Sequence, residues 1–122
     1  MRSIRGVIAT AAALLLGGSV HAGSLYVPVR VPDQQGNATG AVTEFDATTG
    51  QFKRQTVGPL AADIVAGVTF GPDRRLYLSL WDAVNNSNGR ILVCTRQGTN
   101  CRVLIKPGTG GLEFPIGLRF GL

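Results

Sequence analysis

The fold of this chain is decided by the stretch Gly67-Val68-Thr69-Phe70-Gly71-Pro72-Asp73-Arg74-Arg75-Leu76-Tyr77-Leu78. Two runs of apolar and β-branched residues stand on either side of a Gly-Pro-Asp sequence. Proline presets φ for a turn and the aspartate side chain bonds to the local backbone, so this sequence predicts a tight turn. The stretch therefore predicts two antiparallel strands joined by a short connection.

Similar runs recur along the chain on both sides of this hairpin. Short segments rich in Val, Ile, Leu, Tyr and Phe alternate with Gly, Pro, Asn and Asp, and no long segment has the period of an amphipathic helix. Residues 60–68, which follow Pro59, are interpreted as a loop leading into a strand. The sequence thus predicts an all-β protein. The predicted strands are Ser24–Arg30, Ala41–Asp46, Gln51–Val57, Gly67–Phe70, Leu76–Trp81, Arg90–Thr95, Cys101–Lys106 and Ile116–Phe120.

The predicted strands belong to a repeat. Leu25-Tyr26-Val27 recurs 51 residues later as Leu76-Tyr77-Leu78. Gly67-Val68-Thr69-Phe70-Gly71 recurs 50 residues later as Gly117-Leu118-Arg119-Phe120-Gly121. Four short strands per unit at this spacing are typical of β-propeller blades, each of which is a four-stranded antiparallel sheet.

The hairpin stretch also carries a family resemblance. Residues 67–78 resemble the Gly-hydrophobic-x-Phe-x-Pro-Asp-Gly-x-Leu-Tyr-Val signature of NHL-repeat-type β-propellers, and gluconolactonase-like propellers use similar blades. Residues 89–93 and 45–52 match the next two strands of such a blade and their hairpin turn. Arg74 stands where the family usually has glycine. The resemblance implies blades of a six-bladed propeller.

The repeat predicts about two blades, an incomplete propeller. A partial blade spans residues 24–57, a complete blade spans 64–107, and a terminal inner strand at 116–120 is the element that the partial blade lacks. Two blades cannot close a ring, because propellers have about 4–8. The chain is therefore expected to be either a truncated piece of a longer propeller or one member of a homo-oligomer that completes the ring. We favour truncation, because the family motif would continue with Pro-Asp where Leu122 ends the sequence.

The first 22 residues have the pattern of a secretory signal peptide. Arg2 and Arg5 precede an apolar run from Val7 to Leu16, and small residues lead to a cleavage site after Ala22. The apolar run is shorter than the roughly 20 residues that span a bilayer. The sequence therefore predicts a secreted or periplasmic protein of residues 23–122, with no membrane span in the mature chain.

The charge and histidine content exclude several functions for the mature chain. The net charge of the full chain is +5, and the excess left without Arg2 and Arg5 is small and scattered, so no nucleic-acid partner is expected. The basic pair Lys53-Arg54 is interpreted as facing solvent. The one histidine, His21, lies in the predicted signal peptide. Residues 23–122 therefore cannot form a Ser-His-Asp triad or a histidine-ligated metal site.

Cys94 and Cys101 flank a short turn sequence and are predicted to form a disulfide. In a hairpin the two residues lie opposite each other, which brings their Cβ atoms within bridging range. The equivalent positions in the preceding repeat hold Phe45 and Phe52, so an aromatic cross-strand contact is expected where the next blade has the disulfide. A redox-active pair is the alternative, but the Cys-x-x-Cys spacing is missing.

Two acidic residues precede successive predicted inner strands. Asp63 and Glu113 are 50 residues apart and would lie near the mouth of a propeller channel. Carboxylates that converge there could bind a divalent cation, although such a cation takes about six oxygen ligands. The alternative is that Asp63 caps a turn and Glu113 is a solvated loop residue. No cofactor is expected otherwise.

Trp81 and Asp82 lead into a loop that contains Asn85 and Asn86. An aromatic residue beside polar loop residues can form a ligand-binding surface. The alternative is that Trp81 packs between blades with its N–H bonded to a loop carbonyl.

These observations predict a non-catalytic, exported β-propeller module that binds a protein or a glycan through loops 31–39 and 82–89. The alternative is a remnant or subunit of a metal-dependent, lactonase-like propeller hydrolase, in which Asp63 or Glu113 would hold the metal that activates water. The fold by itself does not decide between a binding protein and an enzyme.

Overall fold

The computed structural model describes residues 23–61, 63–84 and 87–121, and the predicted signal peptide lies outside them. The described chain is all-β, with a single 3-10 turn at Thr109–Gly111 and no α-helix. In this part of the chain, no helix has the length and apolar character that crossing a membrane requires. The strands are β1 (Ser24–Pro32), β2 (Ala38–Asp46), β3 (Phe52–Ala61), β4 (Asp63–Phe70), β5 (Leu76–Asp82), β6 (Ser87–Cys94) and β7 (Arg102–Ile105).

The strands form two antiparallel sheets in which each strand pairs with its sequence neighbours. Sheet 1 has the order β1-β2-β3 and sheet 2 the order β4-β5-β6-β7. They correspond to the predicted partial and complete blades. The loop predicted for residues 60–68 is wrong, because β3 extends to Ala61 and β4 begins at Asp63. The pairing of Leu60 with Gly40 continues the ladder beyond Pro59, which an edge strand tolerates.

The core lies between the two sheets. Leu76, Leu78 and Leu80 on β5 are fully buried and pack in one cluster with Val42 and Val57 of sheet 1. These leucines alternate with Tyr77, Ser79 and Trp81, which point to the opposite face of sheet 2. Burial of each leucine side chain contributes roughly 1.5–3 kcal/mol to folding. The alternation in β5 thus places the leucine face in the core, and the face with Tyr77, Ser79 and Trp81 has to be covered by another part of the chain.

The terminal segment, residues 113–120, covers that second face of sheet 2. The strand predicted at 116–120 is not formed, and the segment does not pair with sheet 1. The Phe120 ring packs edge-on against Tyr77 at 4.8 Å between centroids, and the Ser79 hydroxyl donates to the Ile116 carbonyl at 3.2 Å. The aromatic face of β5 offers the segment a large apolar surface, which accounts for its position.

Candidate binding clefts at the two ends of the sheets

The two loops that were predicted to bind a ligand lie at the same end of the molecule. The β1–β2 connection and the start of the β5–β6 connection border one open cleft of about 460 Å³, the loop cleft. Loops from successive sheets therefore form one concave surface. The loop cleft is lined by Arg30, Asp33, Gly36, Asn37, Ala38, Ala61, Ala83 and Val84.

Both walls of the loop cleft are held by local hydrogen bonds to aspartate. The Asp33 carboxylate accepts the backbone N–H groups of Gln35 and Asn37 at 2.9 and 2.8 Å. The Asp82 carboxylate accepts the N–H of Val84 at 2.8 Å. Such turns hold the backbone in one conformation before a ligand arrives, so binding requires little additional ordering of these walls.

The loop cleft combines one cation, Arg30, and one carboxylate, Asp33, with exposed apolar surface. Arg30 is exposed and makes no ion pair with the described residues. Val84 is 74% exposed at the opposite wall. The described lining contains no aromatic side chain. This surface can contact an acidic group beside an apolar group, a combination common on proteins.

The predicted ligand-loop residues have separate positions. Trp81 packs edge-on against Phe114 of the terminal segment at 5.6 Å, away from the loop cleft lining. The Trp81 ring therefore packs on the terminal segment and does not line the loop cleft. Asp82 stabilises the turn beside the cleft, whereas Asn85 and Asn86 lie outside the described residues.

The two acidic residues proposed for a cation have different surroundings. The Asp63 carboxylate accepts a hydrogen bond from the Arg90 guanidinium at 2.8 Å in a largely buried ion pair. Glu113 is exposed, and its carbonyl lies against Gly89. The described residues contain no group of three or more His, Cys, Asp or Glu that could hold a metal ion. A cation at this position stays a prediction.

A second cleft, the arginine cleft, lies at the opposite end of the sheets and has a volume of about 480 Å³. Its floor includes Tyr26 and Phe70, and Arg74 and Arg96 reach it from two different turns. Arg74 has a left-handed backbone, with φ of 66°, which is strained for any residue with a Cβ. The two guanidinium groups could accept a small anion. The arginine cleft is lined by Gly23, Ser24, Tyr26, Phe70, Gly71, Arg74 and Arg96.

A buried carboxylate beside the arginine cleft was missed by the sequence analysis. Ser24 donates to the Glu44 carboxylate at 2.5 Å, and Arg54 donates to it at 3.0 Å. The Lys53 ammonium lies 3.6 Å from the same group. The Ser24 hydrogen bond, followed by the Arg54 and Lys53 charges, outweighs burial and lowers the pKa of Glu44 to about 2. Lys53 and Arg54 are exposed, as the sequence predicted, and their charges also neutralise the buried Glu44 carboxylate.

The cysteine prediction is confirmed. Cys94 and Cys101 form a disulfide with their Cα atoms 4.0 Å apart, next to the register pair Val93 and Arg102. The equivalent residues of sheet 1, Phe45 and Phe52, pair across β2 and β3 with their rings 6.4 Å apart.

No protein-family model matches this chain, and no curated protein or solved structure is similar to it at a significant level. The fold therefore defines the class of the protein: an all-β protein of two antiparallel sheets, consistent with incomplete propeller-like blades.

Proposed function

We propose that this protein is an exported, non-catalytic binding module of propeller-like blades, related to the NHL type, which holds a protein partner in the loop cleft. The observation that carries this proposal is the convergence of loops 33–37 and 83–84 on one cleft, although they belong to different sheets. Propeller-like blades commonly present their connecting loops as binding surfaces on a rigid scaffold.

The character of the lining favours a protein over a glycan. Glycans usually stack on aromatic rings, and the described lining contains none. Arg30 and Val84 instead suit a peptide that carries an acidic side chain next to an apolar one. The hydrogen bonds of Asp33 fix one wall of the cleft, so selectivity would come from shape as well as charge.

Two sequence features support an exported binding role. The predicted signal peptide precedes a domain that contains a disulfide, and disulfides persist in oxidising compartments. Residues 23–122 contain no histidine, which is the residue most often used for general acid–base catalysis.

The experiment is selection of binders from a displayed library of random peptides, followed by affinity measurement with variants. Arg30→Glu should weaken the selected peptides by at least about tenfold, because a like charge replaces an attractive one. Arg96→Glu makes the same charge change at the other end of the sheets and should leave binding unchanged.

Equal effects of the two substitutions would contradict binding in the loop cleft, as would failure to select any peptide. A glycan microarray serves as a parallel test. If the protein binds a glycan and Arg30→Glu abolishes that binding, the loop cleft is the binding site but the partner is a glycan, which overturns the choice of a protein partner.

A further inference from the structure

The terminal segment packs on sheet 2 in the way that β4 packs on sheet 1. Phe70 of β4 contacts Tyr26 with centroids 4.8 Å apart and ring planes at 76°. Phe120, 50 residues further along, contacts Tyr77 with centroids 4.8 Å apart and planes at 75°. Each phenylalanine therefore contacts the equivalent tyrosine of the preceding sheet in the same geometry.

A pair of glycines repeats the same relationship. A Cβ on Gly40 would lie 2.7 Å from the Asp63 carbonyl oxygen, so β4 approaches sheet 1 closely there. A Cβ on Gly89 would overlap the carbonyl of Glu113 in the terminal segment. The terminal segment thus occupies the place of the first strand of a third sheet, but the described chain supplies no strand to pair with it.

Sheet 1 has the opposite deficiency, because no described strand pairs with the second edge of β1. The Gly23 carbonyl accepts the Ala47 N–H at 2.9 Å, so the backbone hydrogen-bonding groups of Gly23 face β2. By alternation, the backbone groups of Ser24, Tyr26 and Pro28 point to the unpaired edge. In sheet 2 this edge of the equivalent strand, β5, is occupied by β4.

The exposed surface of sheet 1 also lacks its cover. Leu25 is 56% exposed, whereas its repeat equivalent Leu76 is completely buried against sheet 1. Phe52, on the same face as Leu25 through the pairs with Phe45, is exposed as well. Contiguous apolar surface of this kind marks an interaction site.

We propose that the terminal segment of one copy adds as a fourth strand to the free edge of β1 in a second copy, whose Leu25 face then packs on sheet 2 of the first copy. The partner at the β1 edge is a second copy of this chain. The Leu25 face of sheet 1 and the face of sheet 2 that carries the terminal segment are complementary, because they repeat the two sides of the interface between sheets 1 and 2. The register follows from the repeat: Phe120 lies opposite Leu25 and Arg119 opposite Tyr26, as Phe70 lies opposite Leu76 and Thr69 opposite Tyr77.

Pro28 limits the added ladder. Its ring nitrogen points to the free edge and has no hydrogen to donate, although its carbonyl can still accept. Main-chain pairing therefore centres on Tyr26, whose N–H and carbonyl would bond to Arg119. Main-chain hydrogen bonds give strand addition its affinity, so in a ladder this short the loss of a single hydrogen bond is decisive, and burial of the Leu25 face adds to the association energy.

The contact joins two different surfaces, so it is a heterologous interface that produces a ring or an open filament. Propeller rings have about 4–8 blades, and each copy supplies two sheets, so closed assemblies of about two to four copies are expected.

The test is the solution mass of the purified, oxidised protein by light scattering after size exclusion. The wild type should have at least about twice the mass of one chain. Arg119→Pro should reduce this to one chain, because proline cannot donate to the Tyr26 carbonyl. Arg119→Ala, which keeps the N–H at the same position, should assemble like the wild type.

Mixing distinguishes the heterologous contact from a symmetric one. Leu25→Asp damages the sheet 1 surface and leaves the terminal segment intact, whereas Arg119→Pro does the reverse. Each variant should be a monomer alone, and an equimolar mixture should contain a species of two chains. Val84→Asp, a similar change at an exposed valine in the loop cleft, should not alter the mass.

A monomeric wild type would overturn the proposal. Equal masses for Arg119→Pro and Arg119→Ala would also overturn the proposal. This comparison does not depend on whether Leu25→Asp folds. A mixture that stays monomeric when both variants are folded would overturn the proposal as well.

Discussion

Replacement of Glu44 by glutamine should destabilise the protein in a pH-dependent way. The pKa of Glu44 falls from 4.5 to about 2 on folding. At about 1.36 kcal/mol per pH unit, this corresponds to an upper limit of about 3 kcal/mol at neutral pH. Lys53 and Arg54 are 41% and 50% exposed, so solvent screens part of their attraction. We therefore expect Glu44→Gln to cost about 1–2 kcal/mol.

The sign of the pH dependence follows from the lowered pKa. The carboxylate contributes its full stabilisation above the ordinary pKa of 4.5, and that contribution is lost as the pH falls towards about 2. Below that value Glu44 is protonated in both states and resembles glutamine. The difference in unfolding free energy between wild type and Glu44→Gln should thus be largest near neutral pH and less than half as large at about pH 3.

The assay is urea denaturation of both proteins from about pH 7 to about pH 3. Glu113→Gln is the control, because this exposed carboxylate makes no hydrogen bond or ion pair with the described residues. A difference between wild type and Glu44→Gln that stays constant with pH would refute the reasoning. So would an equal effect of Glu113→Gln.

Four further substitutions test the packing and the turns. Arg74→Gly should be neutral or stabilise the protein by up to about 1 kcal/mol, because it removes left-handed strain at φ 66°. Arg75→Gly in the same turn should instead destabilise the protein by about 0.5–1 kcal/mol. Thermal unfolding of the two variants measures the difference. Gly89→Ala should displace the terminal segment, since the new Cβ overlaps the Glu113 carbonyl, and the fluorescence of Trp81 should shift to the red as it loses its cover. Leu78→Ala, at a completely buried position, should cost about 2–5 kcal/mol in chemical denaturation.

The arrangement of the strands and the disulfide could be predicted because both depend on neighbours along the chain. Cys94 and Cys101 face each other across one hairpin, so their spacing was sufficient. The Glu44 site was missed for the opposite reason. Its partners come from the two strands on either side of β2, Ser24 from β1 and Lys53 and Arg54 from β3. A glutamate in an apolar strand looks the same in sequence whether its carboxylate is solvated or forms ion pairs. A signal was present, since Arg54 lies across from Glu44 on the next strand and Lys53 precedes it.

Local patterns were enough to define an all-β chain of two antiparallel sheets with three and four strands, because strand alternation and turn residues act over a few positions. They could not define where the terminal segment lies. Its sequence is that of an inner strand, and it packs on Tyr77 and Trp81 of sheet 2 without pairing with β1 of its own chain. That choice depends on which apolar face and which strand edge are within reach once the sheets have packed, and therefore on contacts between residues far apart in the chain.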